Sequence, residues 1–197
     1  MIKICLTIFI SLMSYSVYAA EDLSNSEETA VCDGSISFTA EINSANKVIT
    51  LSDSASLDMN QYLSEKVYDG YKVASNVICQ KLNGITYTGS AEEWQGFINN
   101  TISGLTKSGG ENLQFTLVGT EDSQYSSTFE NMRYVSNLDY REYTINVTFN
   151  KHKQVLYNLA VLDKKHNTMY TLGVSGEVTV DEKIKQEFER LVKSFIL

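Results

Sequence analysis

Cysteines, histidines and paired carboxylates carry most of the reactive side-chain chemistry of this 197-residue chain, and each group can be weighed by its spacing. Cys32 and Cys79 are separated by 46 intervening residues, with no C-x-x-C motif and too few neighbouring ligands for a zinc site. In an oxidising compartment this pair reads as one disulfide; free thiols and an intermolecular bridge are the alternatives. Closing so long a loop stabilises by about 4 kcal/mol in the chain-entropy account. The only histidines, His152 and His166, fall in two Lys-rich turns with a single strand between them. That puts them at opposite ends of a sheet, which argues against a shared metal or an acid–base pair. Neither lies near a Ser or Cys in the arrangement that nucleophilic catalysis needs.

The carboxylate pairs divide by context. Glu92/Glu93 and Asp181/Glu182 open predicted helices, where negative charge suits the helix dipole. Glu121/Asp122 sits in the long connection from Gly119 to Ser127, free of that duty and accompanied by Tyr125. Tyr adds apolar area at low ordering cost, which is why recognition surfaces use it. Glu121, Asp122, Tyr125 and Tyr140 are therefore the candidate partner-binding residues. No catalytic residue, metal site or cofactor is assigned, and the chain reads as a non-enzyme.

The elements around these groups follow from the apolar pattern. Lys3, the apolar run Ile4–Tyr15 and the small pair Val17-x-Ala19 make residues 1–19 a predicted signal peptide, too short to span a bilayer. Cys5 opens the apolar run and so is no lipid-attachment cysteine, and no stable membrane anchor is expected. Residues 20–31 read as a flexible acidic leader. Residues 32–197 read as one domain, with N-terminal hairpins and a short helix over 32–89 and an α-β-meander-α unit over 90–197. The formal charge of −8 speaks against nucleic-acid binding and for a basic partner.

Within 32–89, Ile36–Ile42 and Lys47–Leu51 are predicted strands joined by a turn at Asn43–Asn46. Met59, Leu63 and Val67 recur every four residues, predicting a helix over Leu57–Val67. Tyr71, Val73, Val77 and Cys79 share a strand face, and Asn83-Gly84 predicts a type I′ turn into a return strand, Ile85–Thr88. Ser90-Ala-Glu-Glu93 is a capping box opening a helix with Trp94, Phe97, Ile98, Ile102 and Leu105 on one face. Five strands are then predicted: Leu113–Leu117, Phe129–Val135, Tyr143–Phe149, Val155–Val161 and Met169–Val174. A second box, Thr179–Glu182, opens a C-terminal helix. The fold class expected is α+β: an antiparallel β-meander packed by two amphipathic helices, with an N-terminal hairpin layer.

The stretches Gln154-Val-Leu-Tyr157, Met169-Tyr-Thr-Leu172 and Leu191-Val-Lys-Ser-Phe195 give residues 90–197 a pattern of elements that resembles PsbP/Mog1-like domains of the exported DcrB type. The resemblance implies a non-catalytic binding module. Export, acidity and exposed tyrosines together lead to a periplasmic protein-binding protein, most sharply an immunity protein against a secreted antibacterial effector of a type VI or contact-dependent system. An envelope-maintenance or small-ligand-binding protein of PsbP/Mog1-like type is the alternative.

Overall fold

The computed structural model describes residues 27–32, 34–118 and 138–197. Its centre is a seven-stranded antiparallel sheet of order β3-β4-β5-β9-β8-β7-β6. The strands are β3 (Ile42–Ser52), β4 (Ala55–Tyr68), β5 (Tyr71–Asn83), β6 (Glu111–Leu117), β7 (Leu138–Phe149), β8 (His152–Asp163) and β9 (Thr168–Glu177). Two further strands, β1 (Glu27–Val31) and β2 (Gly34–Phe38), form a separate hairpin. Helix α1 (Ala91–Lys107) lies between β5 and β6, and α2 (Asp181–Lys193) follows β9 through a 3₁₀ turn at Val178–Val180. The fold class is α+β, as expected.

Period-two alternation assigns each strand residue to one of two cores. On one side of the sheet, Ile145, Val147, Leu156, Ala160, Leu162, Met169 and Ile78 meet Trp94, Phe97, Ile98 and Leu105 of α1. On the other, Val73, Val77, Leu159, Val161, Leu172 and Val174 meet Ile184, Phe188, Leu191 and Val192 of α2, together with Ile36 and Phe38 of β2. Sheet strands covered on both faces in this way carry apolar residues at both parities, as β8 and β9 do.

The disulfide joins Cys32, in the β1–β2 turn, to the buried Cys79 of β5. It holds the hairpin over the α2-side core. The backbone exchange between Ser35 and Ile196 (2.8 and 2.9 Å) secures the same hairpin from the chain's other end.

Several expectations for the first half are corrected. Leu57–Val67 is not a helix but the body of β4, because four-residue spacing also satisfies a period of two, and 13 cross-strand pairs with β5 settle the choice. Asn43–Asn46 is no turn; it belongs to the N-terminal half of β3, paired residue for residue with Asn60–Leu63. Ile36 and Phe38 pair instead with β1, whose residues Glu27–Val31 fall where the acidic leader was expected. Asn83-Gly84 makes no hairpin. Both edges of β5 are already taken by β4 and β9, so a return strand has nowhere to bond. Gly84 takes φ +79°, and a Cβ there would sit 1.8 Å from the Ser54 carbonyl oxygen.

The backbone beyond is satisfied by a side chain. Asn167 Nδ2 donates to the Leu82 and Ile85 carbonyls (both 2.7 Å), and Asn167 Oδ1 accepts from Tyr87 N (2.8 Å). The second capping box does not form either: α2 starts at Asp181, and its cap, Val180, offers no side-chain hydrogen bond. Asp181 accepts from Tyr157 Oη (2.7 Å) and pairs with Lys185 (3.1 Å). The predicted strand Phe129–Val135 lies outside the described residues.

Candidate functional site: an anchored end of the sheet

The first capping box forms in its forward half, with Ser90 N donating to Thr88 Oγ1 (3.1 Å) in place of Glu93, and it sets the position of Trp94. Ser90 Oγ accepts from Glu93 N (3.2 Å), while Glu93 Oε2 accepts from Thr88 N (2.9 Å) and Gly89 N (2.6 Å). The next residue, Trp94, is 3% exposed and edge-on to Phe97, with ring centroids 5.9 Å apart. A buried indole N–H requires an acceptor. Trp94 Nε1 finds it in Asp139 Oδ2 (2.9 Å), near the start of β7.

Asp139 and Arg141 are two residues apart on one strand and so share the face turned toward α1. Arg141 Nη1 donates to Asp139 Oδ1 (2.7 Å) and to the Tyr140 carbonyl (2.6 Å). Its guanidinium carbon lies 4.7 Å from the Trp94 ring centroid. Each element of this clamp is worth little alone: a cation–π contact adds about 0.5–2 kcal/mol and a charged hydrogen bond about 1.5–3. Together they leave a guanidinium 23% exposed and an acid 28% exposed in one fixed orientation.

The same end of the sheet carries the β8–β9 turn, because Asp163 pairs with Leu138. Asp163, only 4% exposed, accepts from Lys165 N (2.9 Å) and His166 N (3.2 Å) and contacts His166 Nδ1 at 2.5 Å. Lys164, Lys165 and His166 are thereby held outward on a well-formed turn. His152 opens β8, just after the β7–β8 turn at the opposite end, and pairs with Glu177 (2.6 Å). The two histidines are separated as their spacing predicts.

Of the candidate partner-binding residues, Glu121, Asp122 and Tyr125 lie outside the described residues. Tyr140 is half-buried against the α2-side core, on the face of β7 opposite Asp139 and Arg141. The sequence reading missed Asp139 and Arg141. Their signal was available: a lone Trp whose N–H needs an acceptor, and an acid and a base at i, i+2 on one strand.

A second charged cluster joins β4 to α2. Glu187 accepts from Lys66 Nζ (2.9 Å), from Arg190 Nη2 (2.7 Å) and from the Tyr68 hydroxyl. Burial by itself would raise the Glu187 carboxyl, but the hydrogen bonds from Tyr68, Lys66 and Arg190 outweigh it and hold it below the usual range. Burial, and then the Glu187 charge, push the Tyr68 phenol up to about 12. The three contacts tie β4 to α2, so the cluster acts as an electrostatic staple. Among the described residues no group of three or more His, Cys, Asp or Glu side chains could hold a metal ion, and no helix is long and apolar enough to cross a membrane.

Comparison with protein-family models, with curated proteins and with solved structures returns no match for this chain.

Proposed function

We propose that this chain is a non-catalytic protein-binding protein of the periplasm, and in its sharpest form an immunity protein that inhibits a secreted antibacterial effector delivered by a type VI or contact-dependent system. The observation that carries this reading is the Trp94–Asp139–Arg141 clamp. It fixes the strand that follows the connection bearing Glu121, Asp122 and Tyr125, and it offers a preoriented Arg beside a Trp at one sheet end. Arg is one of the side chains in which binding energy concentrates at protein interfaces, and Trp94, itself buried, holds Arg141 in one orientation.

Two further facts support the reading. The Cys32–Cys79 disulfide is compatible with an exported protein. The net charge of −8 favours fast encounter with a basic effector. The PsbP/Mog1-like resemblance of residues 90–197 fits a binding scaffold as well.

The test is a deletion strain challenged with wild-type sibling cells. Killing that is prevented by the restored gene, and prevented less well by the gene carrying Tyr125→Ala with Arg141→Ala, is the expected result. Equal survival of deleted and wild-type cells would remove the immunity reading. An envelope defect without any killing would instead favour envelope maintenance.

A further inference from the structure

Strand β3 is the edge of the sheet, and it departs from how edges are usually protected. It runs for 11 residues, contains no Pro, and stays in unbroken register with β4 from Ile42 to Thr50. Asn43–Val48 are exposed on both faces, and Val48 is 69% exposed. Among the described residues nothing pairs with its outer side. Such an edge is a template for another strand. Its only charged residue is Lys47, with Glu41 just before the strand.

We infer that β3 pairs antiparallel with β3 of a second copy of this chain, about a two-fold axis that passes through Ala45. The argument is self-complementarity. A two-fold axis perpendicular to the sheet keeps each side chain on its own face, so every residue must meet one of the same parity. The axis therefore passes through a residue, and four central positions can be compared.

Centred on Lys47, two ammonium groups stand opposite each other. Centred on Asn46, Lys47 faces Ala45 and Val48 faces Ser44. Centred on Ser44, Glu41 faces Lys47, but Val48 faces Ala40 and Ile42 faces Asn46. Centred on Ala45, Ile42 faces Val48, Asn43 faces Lys47, Ser44 faces Asn46, and Glu41 stands diagonal to Lys47. The Ser44 register sets Glu41 directly opposite Lys47 but leaves Ile42 against Asn46 and places Val48 beside Ala40, which lies before the strand; only the Ala45 register pairs two large apolar residues of β3 while keeping Glu41 near Lys47, and symmetry makes each contact twice.

The apolar pair also extends an existing core. Ile42 lies at the margin of the α2-side core, so Val48 of the second copy would continue that core across the dyad. Lys47 then acts as a register filter, because sliding the pairing toward the strand's C-terminal half brings the lysines together. A single strand pair buries less than the roughly 1,200 Å² of stable interfaces, so the dimer forms in a concentration-dependent way.

Sedimentation equilibrium of the mature, disulfide-intact protein tests this. A monomer–dimer equilibrium is expected, weakened roughly 2- to 30-fold by Lys47→Glu and by Glu41→Lys, and recovered in the double variant. Under mild oxidation Ala45→Cys should give a covalent dimer, while Val48→Cys should not. These residues are exposed and distant from the core, so folding, checked by circular dichroism, should be unchanged. A monomer at millimolar concentration overturns the inference. So does a dimer that is indifferent to the charge swap, or one cross-linked through Ser44→Cys in place of Ala45→Cys.

Discussion

The two wings of the sheet use the same antiparallel ladder under opposite conditions. Strands β8 and β9 lie between α1 on one face and α2 with the β1–β2 hairpin on the other, and most of their residues are buried. Strand β3 is exposed for most of its length, and β4 is largely half-buried. In the covered wing, a one-residue slip would turn a whole apolar set toward the wrong core, so register is specified by burial. In the open wing, register rests on backbone bonds and polar pairs such as Gln61 Nε2 to Asn76 Oδ1 (3.0 Å). Burial therefore makes one wing a scaffold and leaves the other available as a surface.

The contrast is broken most directly at Leu172, which is fully buried on the central strand β9. Leu172→Ala should cost about 2–5 kcal/mol in urea unfolding, through lost transfer energy and the cavity left behind. Removing the disulfide with Cys32→Ser and Cys79→Ser should cost about 2–4 kcal/mol. It should also raise amide exchange in β1 and β2 before β8 and β9, since it releases only the hairpin's anchor on β5. Uniform exchange across all strands would show that the hairpin is not a separable layer.

Asp139→Ala leaves the buried Trp94 N–H without its acceptor and Arg141 without its partner. A loss of about 1–3 kcal/mol is expected, together with a change in Trp fluorescence that Arg141→Lys should only partly reproduce.

The β4–α2 staple gives a smaller, pH-dependent effect with a fixed sign. The Glu187 carboxyl is held down in the fold, so its contribution is present above the ordinary carboxylate pKa and is lost as pH falls through the lowered value. Glu187→Gln should therefore flatten the acid limb of the stability curve. Tyr68 is raised from 10.0 to about 12, so its contribution is complete below pH 10 and declines between pH 10 and 12. Tyr68→Phe should remove that alkaline decline, and thermal melts across both pH ranges would show it. At the bottom of the scale, Val48→Ala should change monomer stability by less than about 0.5 kcal/mol, because so little of the side chain is buried.

Sequence legibility followed the same division. In the covered wing the helix of Trp94–Leu105 and the strands of Tyr143–Val174 were readable, because each buried face repeats at its own period. Thr179–Glu182 misled because a capping box is a local signal, while the 3₁₀ turn Val178–Val180 takes Thr179 and α2 starts only at Asp181. In the open wing Met59, Leu63 and Val67 fit both helical and strand periods. Asn43–Asn46 resembles a turn because nothing apolar is needed on a strand with no buried face.

The candidate site was legible only in part. Trp94 was visible as a core residue, but its partnership with Asp139 and Arg141 depends on α1 crossing from β5 to the far edge of the sheet.

By itself, the amino-acid sequence determined the α+β class, the cysteine pair and the opposed histidines, all of which depend on spacing along one chain. Tertiary structure alone decided that β5 is an interior strand, that Asn83-Gly84 cannot turn into a hairpin, that β3 is an edge, and that Arg141 stacks on Trp94. Those outcomes depend on which strand occupies each neighbouring position, and hydrogen-bonding edges, once filled, override the local preference of a turn or a helix.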